Sequence, residues 1–149
     1  MSIVEAIRLA RQIDLPRAIV WEALVDPVLV SGWLHPHEGL LEGSTPLEFR
    51  EPDDPQADAQ LAVASPTFGT VRVRLLRVEG GTRGESTRLE VRVSDVWGRR
   101  DDRAALWELR LDQLEDLLRG HPVDWARWPE EHGAEDAAAR SEARFRPAR

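Results

Sequence analysis

The chain has 149 residues, a formal net charge of −7 and no cysteine. That length suits one domain, which buries roughly two thirds of its unfolded surface. The missing cysteine excludes a disulfide framework, thiolate catalysis and a thiolate metal site, and the acidic balance argues against wrapping nucleic acid, whose phosphates need a basic surface. No apolar run reaches membrane-spanning length, and residues 1–13 lack the charged-then-apolar layout of a signal peptide. The expectation is therefore a cytoplasmic protein without membrane insertion. All 20 basic residues are arginine, and lysine, asparagine and tyrosine are absent, a bias that suggests a GC-rich bacterial genome.

Ile3–Ile13 has Ile3, Ile7, Leu9 and Ile13 in one phase, which predicts a strand; Arg11 shares that phase and points inward or sits at the rim. Pro16 suits the first position of a short helix with Val20, Trp21, Leu24 and Val25 on its apolar side. Asp26-Pro27 ends it and starts a second, Pro27–Leu34. Between 35 and 59 glycines and prolines dominate, and Leu47-Glu48-Phe49-Arg50 is the clear strand. Gln60–Ser65 is a short strand and Pro66–Gly69 a turn. Val71–Val78 alternates until Leu75-Leu76, where the apolar phase switches; a β-bulge is expected there. A glycine-rich loop leads to Arg88–Val93, and the two strands together place Arg72, Arg74, Arg88 and Arg92 on the outer face. Those arginines read as a solvated face before they read as a basic docking patch.

Asp101–Gly120, DDRAALWELRLDQLEDLLRG, is the stretch around which the rest is organised. It reads as about five turns of helix. Asp101 or Asp102 is the expected N-cap, and Gly120 takes the left-handed position that ends it, with Pro122 blocking continuation. Leu106, Trp107, Leu109, Leu111, Leu114, Leu117 and Leu118 form a broad apolar face opposite Glu108, Asp112, Glu115, Asp116 and Arg119. Arg103 and Arg110 break that face. A buried guanidinium cannot shed its charge and needs a carboxylate, water or a ligand. Pairing with Glu5, Glu42, Glu51 or Asp95 is one outcome, and for the mid-helix Arg110 a ligand is the other. Residues 121–149 add Trp125, Trp128 and an Ala/Glu/Arg stretch that reads as a short helix or a loosely held tail.

Catalytic motifs are thin. His35-Pro36-His37-Glu38 places two histidines near a carboxylate, but the proline spoils the metal geometry and no third ligand is fixed by spacing. No serine sits in a nucleophile elbow, and the glycines at 80, 81 and 84 do not precede a helix, so no phosphate cradle is implied. Neither a metal nor a cofactor is expected. Trp21 and Trp33 suit locks that hold the small helices to the sheet.

Leu15-Pro16, Val20-Trp21, Leu24-Val25-Asp26-Pro27, Trp33-Leu34, Gly81-Thr82-Arg83 and the Trp107-Glu108…Leu111…Leu114…Leu117-Leu118-Arg119-Gly120…Asp124-Trp125 run together carry a resemblance. From about Glu5 to Trp125 the chain resembles the START-like (SRPBCC) superfamily, most of all bacterial homologues of a chaperone-ATPase activator. The resemblance implies an α+β helix-grip fold: a curved antiparallel sheet wrapped around one long C-terminal helix, with two short helices after the first strand. It sets a START-like domain over residues 1–125 and a tail over 126–149. It also implies a cavity between helix and sheet for a small, largely apolar or amphipathic molecule. The candidate lining is Arg11, Trp33, Phe49, Val73, Val91, Trp97, Trp107, Arg110, Leu111 and Leu114, with Arg110 as the polar anchor. The expected activity is non-catalytic binding by a monomer or homodimer. A polyketide cyclase-like enzyme and a chaperone-associated interaction module are the alternatives.

Overall fold

The computed structural model describes residues 6–34, 44–54, 57–65, 68–94 and 99–122. The order of elements is β1 (Ile7–Ile13), α1 (Arg17–Val25), α2 (Pro27–Val30), β2 (Thr45–Arg50), β3 (Ala59–Ser65), β4 (Gly69–Glu79), β5 (Glu85–Ser94) and α3 (Arg100–Leu118). The strands form one antiparallel sheet in the order β1-β5-β4-β3-β2, so β1 crosses over to pair with β5. One open antiparallel sheet with a long C-terminal helix and two short helices after β1 is the helix-grip fold.

Register turns the alternation of each strand into rows that cross the sheet. Ile7, Val93, Val71, Val63 and Pro46 stand side by side, as do Leu9, Val91, Val73, Leu61 and Phe49. These rows face α3, and Ile7, Val93, Val71, Val91 and Leu61 are all buried. Side chains on one face two residues apart share a pleat, so the intervening residues form rows on the opposite face: Arg8, Arg92, Arg72, Ala62, Glu48, then Ala10, Glu90, Arg74, Gln60, Arg50.

The expected bulge at Leu75-Leu76 is absent. The β4–β5 register runs unbroken through Leu75↔Leu89 and Leu76↔Arg88, and the irregularity lies instead in β2, between Pro46 and Glu48. The switch of phase at Leu76 has another cause: the core ends there, and Arg77 on the core-side phase reaches the hairpin tip, where its Nε donates to Glu85 at 2.9 Å.

α1 begins after Pro16 without a side-chain cap. Its first free N–H is met from the sheet, because Arg17 N donates to the Glu85 carboxylate at 3.0 Å. Asp26 caps α2 by accepting from Val28 N at 2.9 Å. α2 is shorter than expected, with turns over residues 31–33. α3 starts at Arg99 without a side-chain cap, so Asp101 and Asp102 are not caps; they lie in the first turn, where negative charge meets the positive end of the helix dipole. Its C-terminus is as expected: Gly120 has φ +88°, and the N–H groups of Gly120 and His121 donate to Leu117 O (2.9 Å) and Asp116 O (2.8 Å), the two bonds of a Schellman motif.

The helix buries Arg103, Leu106, Trp107, Arg110, Leu111, Gln113 and Leu114. Leu109, expected on the buried face, is only half-buried, and Gln113 takes a place in the interior. The His35–Glu38 run, Trp97 and the tail from 126 lie outside the described residues.

Candidate functional site

Trp107, Arg110, Leu111 and Leu114 recur at the three- and four-residue spacing that aligns side chains on one helix face. All four are buried, Arg110 at 6% exposure. The turn between β3 and β4 supplies their partner. Phe68, its N–H held by Ser65 Oγ at 3.0 Å, is buried with its ring 5.8 Å from that of Trp107, edge to face at 71°. The Arg110 guanidinium carbon lies 4.8 Å from the Phe68 ring centre and 4.9 Å from that of Trp107. A cation desolvated beside two ring faces gains on the order of 2 kcal/mol from each quadrupole. Neither Arg110 nor Arg103 is without further partners, as a permanent buried charge requires.

Trp107 carries a polar atom with no such provision. Its indole Nε1 is fully buried and has no hydrogen-bond partner among the described residues. An unmet buried donor costs about 1–3 kcal/mol, and nearly all buried polar groups in native proteins are met by protein or water. Trp33 shows the contrast: its Nε1 donates to Ala23 O at 2.7 Å, which locks the end of α2 to α1.

Val73 and Val91 stand opposite one another in the middle of the buried face. Phe49 lies at the far end of the same row, half exposed, and packs edge-on against Trp21 of α1 at 5.1 Å. Leu111 and Leu114 are core residues under α3. Arg11 has a different occupation. Its guanidinium spans the gap between β1 and α3, with 2.7 Å bonds to Glu108, Asp112 and Glu115. Those three carboxylates form a stripe on the helix, and one arginine on the edge strand clasps all of them. Arg11 therefore fastens helix to sheet, and its charge is spent there.

Phe68 was not among the expected site residues, because it falls in a turn where burial has no periodic signature. The outer face also holds more than the pattern suggested. A groove of about 440 Å³ opens on it, lined by Arg8, Arg72, Arg92, Glu48, Glu90 and the small Ala10 and Ala62 among others. Among the described residues no three His, Asp or Glu side chains stand together as a metal site, and no helix is long and apolar enough to cross a membrane.

Several solved structures resemble the chain in shape. CalU16 from Micromonospora echinospora is 20% identical over 94% of this chain and 87% of its own, with a TM-score of 0.49. DynU16, from the dynemicin biosynthetic locus, is 23% identical over 78% of this chain and 48% of its own, at 0.47. Protein MLL2253 from Mesorhizobium loti is 18% identical over 80% of this chain and all of its own, at 0.48. Likeness at this level is one of architecture alone. No family model matches the chain, and no curated protein matches it.

Proposed function

We propose that this chain is a non-catalytic binder of a small amphipathic molecule carrying an acidic or carbonyl group, held between α3 and the sheet. The observation that carries the reading is a pair of polar groups in a largely apolar interior: Trp107 Nε1, buried without a partner among the described residues, and the Arg110 guanidinium lying against the same ring. Ligand sites are commonly of this kind, an apolar wall with a few fixed polar groups that orient the guest. A carboxylate or carbonyl oxygen that accepts from Trp107 Nε1 would remove the cost of the unmet donor, and Arg110 would supply the countercharge. Of the four histidines His121 is exposed beyond the end of α3, and His35, His37 and His132 lie outside the described residues. The chaperone-module alternative puts its work on the outside of the same fold.

The test uses anilinonaphthalene sulfonate, an apolar probe with one fixed anion, and N-phenylnaphthylamine, a neutral probe of similar shape. Both are expected to bind the folded protein and quench tryptophan emission. Arg110→Leu should weaken the anionic probe tenfold or more and leave the neutral one within about twofold. Equal loss of both, or no binding of either, would refute the reading. Native mass spectrometry of protein purified from its own organism then identifies any retained guest.

A further inference from the structure

The groove on the outer face of the sheet has a charge arrangement that follows from register and serves no purpose in packing. Arg8 on β1, Arg92 on β5 and Arg72 on β4 stand directly opposite one another in a single row. With strands about 4.8 Å apart, three guanidiniums arise within about 10 Å. Like charges directly opposite on neighbouring strands destabilise a sheet, so such a row persists only if something offsets it.

The surrounding acids do not. Glu90 is shared between Arg88 (2.9 Å) and Arg74 (3.5 Å), and Arg74 also binds Asp58 at 2.6 Å. That set of two arginines and two carboxylates closes on itself. Glu48 approaches Arg72 only at 3.9 Å, and its oxygens are also engaged by the Gln60 amide, turned with its nitrogen toward them (2.8 and 3.2 Å). Arg8 and Arg92 have no carboxylate in reach among the described residues. Among the described residues the groove thus holds two positive charges side by side without a paired carboxylate, on a chain whose net charge is −7.

The neighbouring positions make room. Ala10 and Ala62 lie on the same face beside the arginines, where long side chains would fill the space, and the resulting groove of about 440 Å³ falls in the size range of small-molecule sites. We infer that this groove is a second ligand site, separate from the helix–sheet interior, that binds the phosphate dianion of a small organic phosphate between Arg8 and Arg92, with Arg72 beside them. Guanidinium forks match phosphate oxygens bidentately, and two unpaired guanidiniums match a charge of −2. A nucleic acid strand fits poorly. The arginines run across the strands for only about 10 Å, Glu48 and Glu90 flank them, and the whole chain repels a polyanion at long range.

The probe is phenyl phosphate, titrated into the folded protein at low ionic strength and followed by the arginine Nε–H resonances in NMR spectra. Saturable shifts confined to Arg8, Arg92 and Arg72 are expected. Arg8→Gln and Arg92→Gln should each weaken binding about tenfold or more, while Arg83→Gln, which removes the same charge from the hairpin tip, should change it less than twofold. Binding should strengthen as pH rises from 5 to 7.5, because phosphate monoesters gain their second charge near pH 6; phenyl sulfonate, fixed at one charge, should bind more weakly and without that dependence. All these substitutions are at exposed positions, and an unchanged amide spectrum elsewhere shows that the fold is retained. The inference fails if phenyl phosphate does not saturate below 10 mM, or if Arg83→Gln weakens it as much as Arg92→Gln. It fails equally if anionic lipid vesicles bind through these arginines while phenyl phosphate does not.

Discussion

The two faces of the sheet are built by the same strands, one residue out of phase, and they differ in what settles them. On the inner face the central rows are apolar from strand to strand, as in Ile7, Val93, Val71, Val63, and burial beneath α3 makes the neighbours mutually supportive. On the outer face the next row sets Arg8, Arg92 and Arg72 against one another at exposed positions. Hydrophobic burial is nondirectional and forgiving of register within a face. Charge on the solvent face depends on which residue stands opposite which. Stability is therefore a property of the first face, and selectivity for an ion is a property of the second.

The sharpest separation comes from the largest expected effect. Leu114 is wholly buried on the central stripe of α3. Leu114→Ala should cost about 2–5 kcal/mol, the range for a buried leucine whose cavity only partly collapses. Urea unfolding monitored by circular dichroism measures this. A loss below 1 kcal/mol would mean that the interior re-forms around the gap, as an open cavity would allow, and the inner face would then not be the rigid half of the comparison.

A smaller effect is expected where the two faces meet at the hairpin tip. Gly81 has φ +85°, and a Cβ placed there would overlap Asp14 Oδ1. The same Asp14 accepts from Thr82 Oγ1 at 2.6 Å and Thr82 N at 2.9 Å, tying the end of β1 to the β4–β5 turn. Gly81→Ala should cost about 1–3 kcal/mol, from left-handed backbone strain plus the displaced carboxylate. The Thr82 hydroxyl first, and its N–H second, hold the Asp14 carboxyl below the usual range. A depressed folded-state pKa means that the unfolded chain takes up the proton first as pH falls. The stabilisation is thus fully present above the ordinary aspartate value and disappears as pH drops through the lower, folded-state value. Glu85, lowered by the Arg17 N–H and then by Arg77, adds in the same sense. Unfolding free energy should fall in the parent as pH drops below the ordinary carboxylate range, and more gently in Gly81→Ala. Parallel acid limbs would show that Asp14 does not anchor the turn.

Much of the inner face is legible in the sequence. The α3 pattern, its end at Gly120 and the alternation of β4 and β5 are local signals with one period each. The errors fall where a local pattern had two causes. Leu75-Leu76 looked like a bulge, although the strand was only leaving the core. Asp101 and Asp102 looked like caps, although either position in the first turn satisfies the same dipole. Arg11 shared a phase with core residues, and nothing in its neighbourhood revealed that Glu108, Asp112 and Glu115, about a hundred residues later, would meet it. Phe68, and the direct opposition of Arg8 and Arg72 to Arg92 on a face where the pattern does place Arg72 and Arg92, escape the sequence for the same physical reason. A turn residue has no period, and cross-strand opposition exists only once register is fixed.

The smallest expected effect is also the one with the least ordinary sign. Arg92 is central in its row, with Arg8 on one side and Arg72 on the other. In low salt without an anion, Arg92→Gln removes both like-charge oppositions and should stabilise the fold by about 0.2–1 kcal/mol, although it deletes a charged residue from an acidic protein. Added salt screens exposed charges within a Debye length of about 10 Å at 0.1 M, so the gain should shrink as sodium chloride rises. Arg88→Gln is the matched control, because it breaks a 2.9 Å pair with Glu90 and should be neutral or slightly destabilising. Thermal unfolding of the two variants and the parent at 10 mM and 300 mM salt decides the matter. If Arg92→Gln and Arg88→Gln move the midpoint together in both salts, the row carries no repulsion, and the outer face is an ordinary solvated surface.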